Sequence, residues 1–305
     1  MEYILNKISS KKFENKPFKH LYIEDFFENN EFEKIINDAQ INTKYSSDLN
    51  DLFKNLDENE FKEIVFPGCT VSRKHYASWI KNKNNKINSK DPVEGYGMVF
   101  RMFEYKSDIL KEIKKIFESQ IFKKTLAEKF DIDSKDLIFD WGIQKYLDGY
   151  EISPHPDIRK KALTFMININ NEENSEKLNY HTKYLKLKDK YNYIQDIWNE
   201  NKDIDRCWVP WNWAEEVKNQ PKNNSIVIFS PSNDTWHAVK ANYNHLKSQR
   251  TQIYGNLWYK DTNTIKTNWK SYDVVSRIRE EGNVKDSFLD RLTKKISKTG
   301  VRKIK

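Results

Sequence analysis

The sequence predicts a mainly β protein with helical support, built as an antiparallel barrel or sandwich, and three observations carry that prediction. Beyond Asp136 the chain breaks into short runs rich in β-branched and aromatic residues, bounded by Gly, Pro, Asn and Asp: 137–147 (LIFDWGIQKYL), 162–170 (ALTFMININ), 225–231 (SIVIFSP), 235–241 (TWHAVKA) and 250–260 (RTQIYGNLWYK). Few helical patterns separate these runs, which argues against alternating βαβ units. Before Asp136, apolar residues recur at helical spacing instead.

Taken in order, residues 1–20 read as an extended lead-in. Residues 24–40 set Phe27, Phe32, Ile35, Ile36 and Ala39 near one face of an amphipathic helix, and 41–66 carry a weaker helical pattern. Residues 67–105 read as irregular, with Pro67-Gly68, Pro92, Gly95 and Gly97 as turn signals. The strongest helix spans 107–130, capped by Ser107, with Ile109, Leu110, Ile113, Ile116, Phe117 and Ile121 as its buried stripe. Between the second and third strand runs lies an insertion, 171–224, dense in tyrosine, tryptophan and lysine. Near the end, Phe288, Leu289, Leu292 and Ile296 share one helical face, with lysines largely on the other. The organisation expected is an N-terminal helical support region (1–137), a β core (138–262, with the insertion), and a C-terminal extension with a basic helix (263–305).

Composition narrows the class. A chain of 305 residues buries a substantial core, and aromatics at 14% supply much of it. There is no apolar run of membrane-spanning length, and the first residues lack the apolar segment of a secretory signal. Cys69 and Cys207 are far apart and form no metal-binding spacing, which suits a reducing cytoplasm rather than a disulfide framework. The net charge of +8 invites a nucleic-acid reading, but the lysines are spread along a chain uniformly rich in Lys, Asn, Ile and Tyr, so no dedicated nucleic-acid site is read from it.

Chemistry concentrates in His155-Pro156-Asp157, His237 and Arg250. Two imidazoles and one carboxylate are the protein ligands of a facial Fe(II) site, which leaves adjacent positions for cosubstrate and dioxygen. In a strand, His155 and Asp157 would point to one side and chelate one ion, with the third ligand arriving from a distant strand. His237 and Arg250 flank one connection, and a single hairpin would set both at the same barrel mouth. A guanidinium there suits a two-pronged hydrogen bond to a carboxylate. His245, in that connection, is expected to be solvated and is the next candidate for distal ligand; His20 and His75 have no partners in sequence.

These residues carry a resemblance. Tyr146-x-x-Gly149-x5-His155-x-Asp157 resembles a segment of the prolyl-4-hydroxylase-like branch of the Fe(II)/2-oxoglutarate-dependent oxygenases. ALTFMININ is similar to that branch's threonine-bearing strand, with Thr164 four residues before Asn168. SIVIFSPSNDTWHAV resembles the distal-histidine segment, RTQIYGNLWY the cosubstrate-anchoring strand, and LYIEDFFENNEFEKIINDA the opening strand and helix. Two positions depart from the pattern: Arg250 stands where animal and plant prolyl hydroxylases carry lysine, and Ile152 replaces an aromatic three residues before the first ligand.

The resemblance implies a double-stranded β-helix, a jelly-roll or cupin-like barrel with iron at its open end. It implies Fe(II) on His155, Asp157 and His237, 2-oxoglutarate anchored by Arg250 with Tyr146 and Thr164, ascorbate as a supporting reductant, and hydroxylation with succinate and CO2 as coproducts. His181 and Trp211 in the insertion are candidate contacts to a small-molecule or peptidyl substrate. Two alternatives stand beside this: a catalytically silent metal-binding barrel serving as a binding module, and a protein that binds or modifies nucleic acid. Neither the substrate nor the oligomeric state is legible.

Overall fold

The computed structural model describes residues 1–64, 72–81, 97–133 and 137–260. Two antiparallel sheets form its centre. The larger runs in the order β1 (Leu21–Ile23), β9 (Ile226–Phe229), β6 (Lys161–Asn168), β11 (Arg250–Tyr259), β4 (Leu137–Tyr146), β3 (Val99–Met102) and β2 (Phe61–Glu63). The smaller runs β5 (Glu151–His155), β10 (His237–Lys240), β7 (Lys183–Leu187) and β8 (Ala214–Asn219). Among the described residues the two sheets exchange no strand pairing, so the architecture is a pair of facing sheets and not one closed barrel. From β4 onward the chain passes back and forth between them, changing sheet at every step except β7 to β8.

Helices cover the outer face of the larger sheet. α1 (Tyr3–Ser10) forms where an extended lead-in was expected; Ile4 and Ile8, four residues apart on one face, are both fully buried. α2 (Asn29–Ile36) falls within the expected amphipathic segment, and α3 (Leu49–Glu58) starts where the Asp48 side chain accepts the Asn50 and Asp51 N–H groups. α4 (Arg73–Ile80) lies in the stretch read as irregular. The single long helix expected over 107–130 is two, α5 (Asp108–Phe117) and α6 (Gln120–Lys129). Ser107 caps the first as expected, but Ser119 adopts an extended backbone and caps a second start by accepting the Phe122 N–H. The break shifts the buried face to Phe122, Leu126 and Ala127, leaving Ile121 57% exposed instead of within the stripe.

Period-two alternation divides the larger sheet cleanly. Ile143, Phe165, Ile167, Ile253 and Leu257 join Leu110, Ile113, Phe117 and Phe122 in the helix-side core. The intervening residues face the smaller sheet. The segment read as an insertion supplies β7 and β8, half of the smaller sheet, together with α7 (Tyr193–Glu200). The basic tail at 263–305 lies outside the described residues. No described helix is long and apolar enough to cross a membrane.

Candidate metal centre and anion clamp

His155 ends β5 and His237 opens β10, and the two are direct cross-strand partners with ring centroids 4.3 Å apart. Asp157 does not continue β5, contrary to the alternation argument. It lies two residues past the strand at φ +70°, a left-handed conformation that costs a non-glycine residue about 1 kcal/mol or more. That turn swings the carboxylate back toward both rings: Oδ1 lies 3.7 Å from His155 Nε2 and Oδ2 3.8 Å from His237 Nε2. One ligating atom from each of the three residues falls within 4.8 Å of the others.

Backbone contacts hold both rings in the orientation a metal needs. His155 Nδ1 bonds the Ser153 carbonyl at 2.8 Å and His237 Nδ1 the Thr235 carbonyl at 2.9 Å, which leaves each Nε2 lone pair aimed at the shared centre. Burial, followed by the neighbouring His237, pulls the His155 pKa down to about 3, and burial lowers that of His237, so both rings are neutral at pH 7, the form a metal requires. The Thr235 hydroxyl donates to the Pro156 carbonyl at 3.0 Å, tying the two ligand-bearing segments together. Burial alone would raise the Asp157 carboxyl, but Lys161, His237 and His155 hold it well below the usual carboxylate range. Lys161 Nζ reaches Oδ1 at 2.6 Å and the Thr164 hydroxyl donates to Oδ2 at 2.8 Å.

A cavity of about 640 Å³ opens on this centre. Its floor is one face of β11, where Arg250, Gln252, Tyr254, Asn256 and Trp258 alternate inward, continued by Gln144 and Tyr146 of β4. At one end sits Arg250, 2% exposed. Its guanidinium lies 4.6 Å from the centre of the Tyr146 ring, and Nη2 donates to Thr182 Oγ1 at 3.0 Å. Its Nε–H is buried with no hydrogen-bond partner among the described residues. A buried cation left with an unused donor calls for an anion. The expected hairpin does not exist: β10 and β11 belong to different sheets, so His237 and Arg250 line the cavity from its two opposing walls.

The remaining expectations divide. Tyr146 lines the cavity beside Arg250, its hydroxyl 2.6 Å from the Gln144 amide. Thr164 gives its hydroxyl to Asp157 and lies 3.1 Å from Asn256 Oδ1, and it does not line the cavity. His181 is buried outside the cavity, with Nε2 bonded to the Ser175 carbonyl at 3.0 Å. Trp211 donates to Glu151 at 2.7 Å and packs below the smaller sheet, while Trp208 lines the cavity instead. His245 is buried, not solvated: its Nδ1 accepts the Asp148 N–H at 3.0 Å and lies 3.1 Å from the Tyr76 hydroxyl, bracing the turn that carries Gly149.

Gly149 is required in that turn. It has φ +78°, its N–H bonds the Ala241 carbonyl, and a Cβ there would sit 2.3 Å from the Trp79 ring. Sequence reasoning missed Lys161 and Thr182, whereas Trp208 belongs to the aromatic cluster 208–213 that it marked as a possible wall over the site. Gln252, Tyr254, Asn256 and Trp258 were not singled out either, and the alternation along β11 is the signal that points to them.

No family model matches the sequence, and no curated protein matches it. Among solved structures, the chain is similar to a prolyl-4-hydroxylase from Pseudomonas putida (9% identity, 85% of this chain and 98% of that one, TM-score 0.42). It is also similar to a Trichoplax adhaerens prolyl hydroxylase in complex with a hypoxia-inducible factor peptide fragment (11% identity, 84% and 88%, TM-score 0.38). A third is HygX from Streptomyces hygroscopicus with nickel, 2-oxoglutarate and hygromycin B bound (7% identity, 70% and 87%, TM-score 0.31).

Proposed function

We propose that this chain is an Fe(II)- and 2-oxoglutarate-dependent oxygenase of the prolyl-4-hydroxylase-like branch, hydroxylating a small-molecule or peptidyl substrate. The observation that carries the proposal is a convergence in one cavity: a donor set of two imidazoles and one carboxylate, and across from it a buried arginine whose Nε–H lacks a partner among the described residues. Either feature alone is common, but together they fit a metal and a dicarboxylic acid bound side by side. The back-and-forth passage of the chain between its sheets supports the finer reading of the fold as a double-stranded β-helix.

Residue roles follow from the contacts. His155, Asp157 and His237 would hold Fe(II) facially, with His245 left out because it does not line the cavity and belongs instead to the β4–β5 turn, where its Nδ1 accepts the Asp148 N–H. Arg250 and the Thr182 hydroxyl bound to it would take the distal carboxylate of 2-oxoglutarate, with the Tyr146 ring packed against the guanidinium. Fe(II) with 2-oxoglutarate supplies the oxidising power for oxygen-dependent hydroxylation, with succinate and CO2 as coproducts. A carboxylate at 157, rather than a small residue, keeps three protein donors on the metal and favours hydroxylation. Trp208, Tyr254 and Trp258 line the cavity and are positioned to bound a substrate. A cytoplasmic setting fits Cys207, a free thiol whose pKa burial pushes up to about 12.

The test is the iron-dependent conversion of 2-oxoglutarate to succinate, with and without candidate substrates and with ascorbate present. The wild type should bind one ion per chain and form succinate, and His155→Ala, Asp157→Ala and His237→Ala should each abolish turnover. A wild type that binds iron and 2-oxoglutarate without any succinate formation would leave the silent binding module as the better reading. Full activity in His237→Ala would refute the ligand set.

A further inference from the structure

Asp157 is a buried carboxylate at a strained backbone position, and such a group needs a compensating cation. In a metal site that cation is ordinarily the ion. Here a protein side chain already supplies it. Lys161 opens β6 opposite Trp258 and buries its stem, so that only 11% of its side chain is exposed. Its Nζ lies 2.6 Å from Asp157 Oδ1, donates to the Tyr254 hydroxyl at 3.0 Å, and sits 5.7 and 5.6 Å from the centres of the Tyr254 and Trp258 rings.

We propose that Lys161 is a built-in counter-ion of the His155–Asp157–His237 centre: it holds the Asp157 carboxylate in place, and it weakens divalent-metal binding by occupying the same carboxylate. Orientation alone does not require its charge. The Thr164 hydroxyl grips Oδ2 as a neutral donor and is itself within reach of Asn256, so the carboxylate keeps one hold without Lys161. What the ammonium adds is a positive charge in contact with the oxygen nearest His155 Nε2. An incoming dication must share that carboxylate with it, and two cations on one buried carboxylate repel. The triad is therefore assembled in advance of the ion and holds it less tightly than an isolated carboxylate would. Lys161 is a positioning residue and acts through Asp157. This inference rests on the metal-site reading above.

The experiment measures Mn(II), a probe that needs no turnover, binding to the full chain, with free ion quantified by electron paramagnetic resonance and the thermal midpoint of the metal-free protein recorded in parallel. Lys161→Met keeps an apolar stem over Tyr254 and Trp258 and removes the charge. It should lower the metal-free midpoint and tighten Mn(II) binding by at least about tenfold. Lys161→Gln, whose amide can still donate to Asp157, should tighten it in the same direction should the methionine variant fail to fold. Lys161→Arg, with charge retained, should bind Mn(II) within about threefold of wild type. Neutral variants with unchanged or weaker Mn(II) affinity would overturn the counter-ion role. His237→Ala separates the two levels: loss of Mn(II) binding there, with unchanged affinity in the Lys161 variants, sinks the counter-ion alone. Mn(II) binding that survives His237→Ala sinks the metal site and the counter-ion together.

Discussion

Arg250→Ala is the sharpest perturbation of the proposed cosubstrate site. Among the described residues, the guanidinium donates one hydrogen bond, to Thr182 at 3.0 Å, lies over the Tyr146 ring, and leaves its Nε–H without a partner. A 2-oxoglutarate carboxylate would gain a charge-assisted contact worth about 1.5–3 kcal/mol, or roughly ten- to hundredfold in affinity. The alanine variant should therefore raise the Michaelis constant for 2-oxoglutarate by that factor, because the lost contact is made before chemistry. Metal affinity should change little, since Arg250 touches none of the three ligands. Arg250→Lys should recover part of the loss, restoring charge without the fork. The assay is succinate formation against 2-oxoglutarate concentration at saturating iron, with thermal melting to confirm that the emptied cavity has not unfolded the protein. A folded Arg250→Ala enzyme with an unchanged 2-oxoglutarate dependence would refute the assignment.

Two further outcomes concern the scaffold. Gly149→Ala forces a side chain into a left-handed turn and against the Trp79 ring, and should cost about 2–3 kcal/mol; an unchanged melting temperature would show that Trp79 moves aside freely. Lys145, buried with Nζ on the Ile41 carbonyl at 2.7 Å and Thr251 Oγ1 at 3.2 Å, has its pKa lowered by burial to about 7. Between that value and the ordinary lysine range the folded chain holds fewer protons than the unfolded one, so stability rises with pH across the window. Lys145→Met should accordingly melt higher than wild type most clearly below pH 7, with the gap closing or reversing toward pH 10 as its two hydrogen bonds are missed; a gap independent of pH would contradict the buried charge.

What the sequence revealed follows the physics of burial. Strands β4, β6, β9 and β11 are apolar and aromatic, because they lie between the helix layer and the second sheet, and they are legible as runs. Strands β5, β7 and β8 are not: β5 carries Pro154, and β8 is an edge strand with Glu215 and Glu216 exposed, the charged composition that keeps sheet edges unpaired. Their absence turned half a sheet into an apparent insertion and hid Thr182. His155, Asp157, His237 and Arg250 stood out because histidine is rare here and the set is ordered. Lys161 gave no signal in a chain with 53 lysines and arginines, where only its proximity to Asp157 distinguishes it. The Asp157 turn was unreadable for another reason, since the residue is an unremarkable aspartate whose φ is imposed by its partners.

Strand β11 serves two masters with one alternation. Its even positions from Arg250 to Trp258 furnish the cavity, and Ile253 and Leu257 anchor the helix layer. Point substitutions on either face are separable, so pocket chemistry can drift while the core stays intact. A single inserted or deleted codon is not. Shifting the register by one residue would exchange the faces beyond it, sending Ile253 or Leu257 toward the cavity and polar Gln252 or Asn256 into the helices. Length changes in this strand should therefore be far rarer among descendants of this gene than substitutions, and any that survive should come in pairs.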